Sequence, residues 1–335
     1  MHRRGWQEVE WRSIDTGDSM DLILLYHRIA DDGWQYSVSP RHFAEQLDVL
    51  HHFADVISLP ELVRGRSSRH ASTRVALTFD DGYGDNVTQA YPPLERHATP
   101  ATFFIVSGHV GSTREFWWDE LEYLLFHATT RAQRIELTIG DEHRMWHLGI
   151  DDRPSETTGS ARMPMTSKWE KPRDRAHRDL HELLRRSPPD DQRRILSDLA
   201  VSMGVIVHPR LEKLPVSHEQ LQSLLRNALA EIGAHTVEHL MLPLFPNHVQ
   251  RGEISRSKRD LEEMTGRKVL SFAYPYGAYS DDTVAFVEQS GFQMACTVGE
   301  RPIGEDDSFR IPRLTPRNWN GDVFAEHLQR VLKHA

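Results

Sequence analysis

Short apolar runs recur along the chain, and several are followed by segments with helical spacing. The runs are LILLYH (22–27), VALTF (75–79), ATFFIV (101–106), AEIGAH (230–235), VLSFAYP (269–275) and QMACTV (293–298). Near-continuous apolar stretches of this length suit strands buried on both faces. Between them, RHFAEQLDVLHHF (41–53) and EISRSKRDLEEMTG (253–266) read as amphipathic helices. In the second, Ile254, Leu261 and Met264 suit one face, and Gly266 supplies the C-terminal stop. Strand-then-helix alternation predicts an α/β fold with a mostly parallel sheet, open or closed into a barrel. In such folds chemistry gathers at the C-terminal ends of the strands.

The rhythm breaks between about 107 and 218. That region holds EFWWDELEYLLFH, a polar run over 140–175, and a helical pair over 176–203. Ser187-Pro188-Pro189-Asp190 predicts a capping box at the start of the second helix, with proline in its first turn. The organisation expected is an N-terminal extension (1–19) and one unit over 20–335, with 107–218 as a helical insertion over the strand ends.

Composition narrows the class. With 39% hydrophobic and 27% charged residues, the chain is of the soluble globular type. A formal charge of -9 without a basic stripe argues against a nucleic-acid partner. LILLY at 22–26 is too short for a signal core or a membrane span, so cytoplasmic residence is the expectation. The single cysteine, Cys296, rules out an internal disulfide and reads as a core filler.

The candidate chemistry starts where the apolar run 75–79 stops, at Asp80-Asp81-Gly82. Adjacent carboxylates repel, and burying them is costly unless a cation or proton relieves the repulsion. A solvated type I turn is the plain alternative. His235 and His239 stand four apart, so on a helix both would face one side and offer two nitrogens to a divalent metal. One carboxylate of the Asp pair completes a His₂-carboxylate set, leaving the other to take a proton from an activated water. Pro275-Tyr276-Gly277 forms a rigid turn able to hold a backbone N–H near a developing oxyanion. His27 ends the first apolar run and faces the same pocket if that run lies in a barrel.

These pieces, in this order, resemble the polysaccharide deacetylase family, the NodB-homology domain of carbohydrate esterase family 4. TFDDG (78–82), HTVEH (235–239) and YPYG (274–277) match its first three motifs. The resemblance spans roughly 20–106 and 225–320. It implies a distorted (β/α)7-type barrel, here with a helical insertion, and metal-dependent hydrolysis of N-acetyl groups on amino sugars. It also implies one divalent ion, zinc first, with cobalt, nickel or manganese as alternatives. By resemblance Asp80 is the base, Asp81, His235 and His239 hold the metal, and Tyr276, between Pro275 and Gly277, contributes its backbone N–H.

Many members place an arginine shortly before the Pro-Tyr-Gly turn to pair with the base. Here that stretch is Phe272-Ala273-Tyr274, which leaves Arg310 or Arg313 as substitutes. Many also draw the general acid from a C-terminal Leu-x-His strand, whereas this C-terminus, VFAEHLQRVLKHA, reads as helical. A subgroup with circularly shifted motifs supplies the histidine from an N-terminal Tyr-His strand. LLYHRI is similar to that arrangement and nominates His27. Trp117 and Trp118 could stack on a sugar, or form a seam under the insertion.

The leading expectation is a de-N-acetylase acting on a polysaccharide, oligosaccharide or glycan precursor. An amide hydrolase that removes formyl groups from a small or lipid-linked sugar shares the chemistry. A non-catalytic carbohydrate-binding barrel has no use for a spare base beside a metal ligand. A magnesium site for phosphoryl transfer has no use for two histidines.

Overall fold

The computed structural model describes residues 20–65, 72–149, 171–226, 228–304 and 307–333; the N-terminal extension proposed for 1–19 lies outside these. Six strands stand side by side in chain order: Asp21–Tyr26, Arg74–Phe79, Ala101–Ile105, Ala230–Ala234, Ser271–Ala273 and Met294–Cys296. Every neighbouring pair is parallel. The short strand Asp55–Val56 joins the start of Arg74–Phe79 as a seventh member. Each apolar run read from the sequence coincides with one of the six to within a residue at its start, or encloses it.

The curled sheet is bridged between its edges by residues 311–314. Ile311 accepts from Thr297 N–H at 2.8 Å and donates to Ala295 O at 3.0 Å. Leu314 accepts from Leu25 N–H at 2.8 Å and donates to Ile23 O at 2.9 Å. Pro312 has no N–H to give, so this link forms isolated bridges rather than a regular strand. The result is a distorted (β/α) barrel.

Alternation along each strand sorts the core into two layers. Ile23, Ala76, Phe104, Ala273, Met294 and Cys296 form an inner cluster, closed off by Leu59 and Leu62 of helix Leu59–Gly65. Leu22, Leu24, Val75, Leu77, Phe103, Phe272 and Ala295 form the outer layer. There they meet Phe43 and Leu47 of helix Pro40–Phe53, Ile254 and Leu261 of Asn247–Thr265, and Phe324 and Leu328 of Gly321–Lys333. Gly233 is small for a reason: a Cβ there would lie 2.3 Å from Phe104 Cδ1.

Residues between 107 and 218 build their own apolar cluster. Helices Trp117–Glu122, Pro172–Arg186 and Pro189–Met203 enclose Leu121, Leu180, Leu184, Ile195 and Leu199. Ile135 and Leu137 join them from an antiparallel hairpin, Arg134–Ile139 with Glu142–His147. The insertion is therefore not purely helical, and part of the polar run over 140–175 is a strand. Ser187 does not cap the second helix: it ends the first, donating to Leu183 O at 2.9 Å, while Pro188 holds the N-cap position without a side-chain bond. No helix among the described residues is long and apolar enough to cross a membrane.

Candidate active site

Strand parity decides which side chains reach the barrel mouth. Steps of two from Ile23 lead to His27, from Ala76 to Asp80, and from Gly233 to His235. Asp80 and Asp81 are only 3% and 4% exposed, so the Asp pair is no solvated turn. The strand ends in two residues with positive φ, Asp81 at 72° and Gly82 at 76°. This reversal turns Asp81 beside Asp80, and a Cβ at Gly82 would sit 2.9 Å from Ile105 Cδ1.

His235 and His239 do converge, but not on a helix. The strand Ala230–Ala234 stops before them, and the loop that follows has positive φ at Thr236 (65°) and His239 (56°). Their Nε2 atoms lie 3.6 Å and 3.3 Å from the same oxygen, Asp81 Oδ1. Among the described residues these three form the one cluster able to hold a metal, with donor atoms within 4.8 Å of one another. His235 Nδ1 donates to Ala273 O at 2.8 Å, so a neutral ring keeps its Nε2 lone pair for a cation that Asp81 would share. Two imidazole nitrogens and one carboxylate oxygen suit zinc or a similar divalent ion.

The electrostatics reflect that crowding. Burial disfavours an ionised Asp81, yet bonding to His235 and His239 overrides it and holds the carboxyl below its usual range. Burial likewise opposes a charged His235, but Asp80 and Asp81 raise its pKa. For His239 burial wins, and its pKa falls.

Of the two arginines considered for Asp80, the structure brings one to it. Arg313, fully buried, donates from both terminal nitrogens to the two Asp80 oxygens, each at 2.7 Å. It also bonds Thr78 Oγ1 and Thr297 O. Burial works against the Asp80 charge, and Arg313 reverses the effect, keeping the carboxyl ionised. Arg310 lies elsewhere, paired with Asp281 and Asp307.

His27 packs near Tyr36 and Trp34, with ring centroids 5.2 Å and 6.0 Å away. Its Nδ1 is buried without a hydrogen-bond partner among the described residues. Burial lowers its pKa, while Asp81 and Asp80 pull the other way. A depressed pKa makes the protonated ring a stronger acid but thins its population.

In the turn Pro275–Gly277, Tyr276 has φ 61° and lays its ring 4.8 Å from that of His239. The two tryptophans separate. Trp117 is buried in the insertion core against His181, as a structural seam. Trp118 is half-buried, stacks on Phe116, and meets the other side of the site with its ring 4.6 Å from His239. Arg185 of the insertion stands 5.9 Å over the Tyr276 ring. The insertion therefore overhangs the site.

Sequence reasoning missed the layer that supports Trp118. Trp118 Nε1 donates to the Tyr83 hydroxyl at 2.7 Å, which donates to Asp119 at 2.6 Å. Asp119 in turn pairs with Lys213, which also meets Asp32. Only the polar residue at 119, next to two tryptophans, hinted at a buried charge.

Known proteins share parts of the sequence and the fold. The polysaccharide deacetylase family model matches residues 67–128 and 206–295, omitting most of the insertion. The poly-β-1,6-N-acetyl-D-glucosamine N-deacetylase of Staphylococcus epidermidis is 22% identical over 335 aligned positions, covering 95% of this chain and 86% of that protein. Among solved structures, IcaB from Ammonifex degensii matches with a TM-score of 0.56 at 19% identity, covering 94% of this chain and 97% of that one. The Streptococcus pyogenes deacetylase PplD, solved with acetate, matches with a TM-score of 0.57 at 17% identity, covering 94% and 99%. Both structures share the fold. The two stretches matched by the family model contain Asp80, Asp81, His235, His239 and the Pro275–Gly277 turn, and over them the chain carries a polysaccharide deacetylase domain.

Proposed function

We propose that this protein is a metal-dependent de-N-acetylase acting on N-acetylated amino sugars in a glycan, with a poly-N-acetylglucosamine as the first substrate to try. One observation carries the reading: two histidine nitrogens converge on Asp81 while a second, separately held carboxylate stands beside it. A binding module needs the first arrangement but not the second. The substrate class follows from the name of the staphylococcal relative.

Asp81, His235 and His239 would hold the ion, which when bound supplies Lewis acidity for the acetyl carbonyl and acidifies a water. Asp80, kept ionised by Arg313, accepts the proton of the attacking water. The Tyr276 backbone N–H, in the Pro275–Gly277 turn beside His239, would stabilise the developing oxyanion. His27, at the inward position of the first strand, delivers a proton to the leaving amine, a step without which an amine leaves poorly.

The test measures bound metal and released acetate on poly-N-acetylglucosamine oligomers. Wild type should bind about one zinc equivalent and release acetate. Asp81→Ala and His235→Ala should lose tight binding, while Asp80→Asn keeps the metal and loses turnover. Metal retained in both ligand variants would sink the assignment. Formate released from N-formyl sugars, with no acetate from N-acetyl ones, would replace the acyl group but not the chemistry.

A further inference from the structure

The loop from His235 to His239 must hold two ligands at a fixed bite without helical hydrogen bonds. It also carries two non-glycine residues in the left-handed region, Thr236 and His239, a conformation that persists only when its surroundings over-determine it. Its carbonyls are held from one side. Ser107 N–H donates to Thr236 O at 3.0 Å, and Gly108 N–H to Val237 O at 2.9 Å. The approach at Gly108 is close, since a Cβ there would lie 2.6 Å from Val237 O.

The N–H groups are held from the other side by a single atom. Val237 N–H and Glu238 N–H both donate to Glu253 Oε2, each at 2.9 Å. Glu253 is buried and projects from helix Asn247–Thr265, whose Ile254 and Leu261 are locked into the outer core. A buried carboxylate facing two consecutive N–H groups acts as a fixed anchor for the loop between them.

We propose that Glu253 is the positioning residue of the metal site: it sets the distance and direction between His235 and His239 by pinning the loop that separates them. This rests on the metal-site reading above. Glu253 touches neither the ion's ligand atoms nor the substrate. It acts through the backbone of Val237 and Glu238, and its removal leaves two N–H groups in the protein interior without an acceptor.

The chemistry separates three variants. Glu253→Gln keeps an oxygen on the same stem, able to accept both N–H groups. Glu253→Ala has no acceptor, and Glu253→Asp draws the oxygen back by one methylene. Zinc affinity of the full chain is measured by chelator competition, alongside thermal unfolding of the metal-free protein. Losing a group that holds metal ligands in place weakens metal binding by about 10–100-fold, and that is the expectation for Glu253→Ala and Glu253→Asp. Glu253→Gln should stay close to wild type, and the metal-free forms should unfold cooperatively. Should Glu253→Ala not fold, the Asp and Gln variants give the same reading. Wild-type affinity in Glu253→Asp, or equal losses in Asp and Gln, would overturn the assignment of Glu253. Absence of zinc binding by wild type would instead remove the metal site itself.

Discussion

Arg313 grips Asp80 with both terminal nitrogens, each 2.7 Å from its own carboxylate oxygen, across 233 residues of sequence. Neither partner is more than 4% exposed at its side chain, so removing one strands the other as a buried charge. Breaking such a pair from one side costs about 3–5 kcal/mol. Arg313→Met should lower the urea midpoint accordingly and depress turnover. Arg313→Lys should do less harm to stability, since a point charge remains, but still loses the two-pronged hold. The double variant Asp80→Asn/Arg313→Met should be more stable than Arg313→Met alone, because no unpaired charge is left. A double variant no more stable than the single would show that Arg313 acts through packing on Phe104 rather than through Asp80.

His27 has a buried nitrogen without a partner among the described residues, and buried polar atoms in that state call for explanation. A donor waiting for a leaving amine is one. His27→Ala should cut turnover by about 10²–10⁴-fold, the range of a positioned proton donor, while zinc content stays at the wild-type level. Near-normal turnover would return His27 to a packing role against Tyr36 and Trp34.

Legibility in the sequence followed how local each signal was. The six main strands were readable because each is centred on a near-continuous apolar run that is buried along most of its length. The strand Glu142–His147 was not, since it is largely exposed and shows no alternation. Residues 311–314 were not either, because Pro312 and Arg313 interrupt the apolar pattern that a closing strand would show. The Asp80, Asp81, His235 and His239 cluster could be assembled from motif order, but the backbone between the histidines could not. A four-residue spacing fits a helix and a tight loop equally, and Glu253, which holds the loop, lies fourteen residues beyond His239 on another element. The choice between Arg310 and Arg313 is likewise tertiary: two arginines three apart on an irregular segment face opposite ways.

Cys296 illustrates a residue whose environment dictates inertness. It is fully buried in the inner cluster with Ile23, Ala76 and Phe104, and burial pushes its thiol up to about 12. The thiolate is the reactive form. Native protein at pH 8 should therefore consume no thiol reagent over an hour, and one equivalent should react after denaturation in urea. Rapid labelling of the native state would mean that the strand Met294–Cys296 opens far more often than its burial indicates.

Lys213, itself buried, joins the insertion to the barrel through a charge network that reaches the surface at Asp32. Its ammonium lies 2.8 Å from Asp32, 3.1 Å from Asp119 and 3.5 Å from Glu122. Burial alone would raise the Asp32 pKa, but Lys213 and Arg28 pull it down to about 2. Asp32 is then a group whose folded pKa is depressed. Its stabilisation is complete above the ordinary carboxylate pKa of about 4 and is lost as pH falls from there toward about 2. Asp32 reaches solvent, so screening reduces the contribution of this shift to about 1 kcal/mol. Asp32→Asn should therefore be less stable than wild type by about that amount at pH 7, and the gap should narrow below pH 4. Lys213→Met should be worse at neutral pH, because it leaves three acids facing one another with Arg28 as the remaining nearby cation for Asp32. Urea unfolding at pH 7, 4 and 3 measures both. If Asp32→Asn and wild type keep a constant gap across that range, the carboxylate charge of Asp32 is not what Lys213 uses to fasten the insertion.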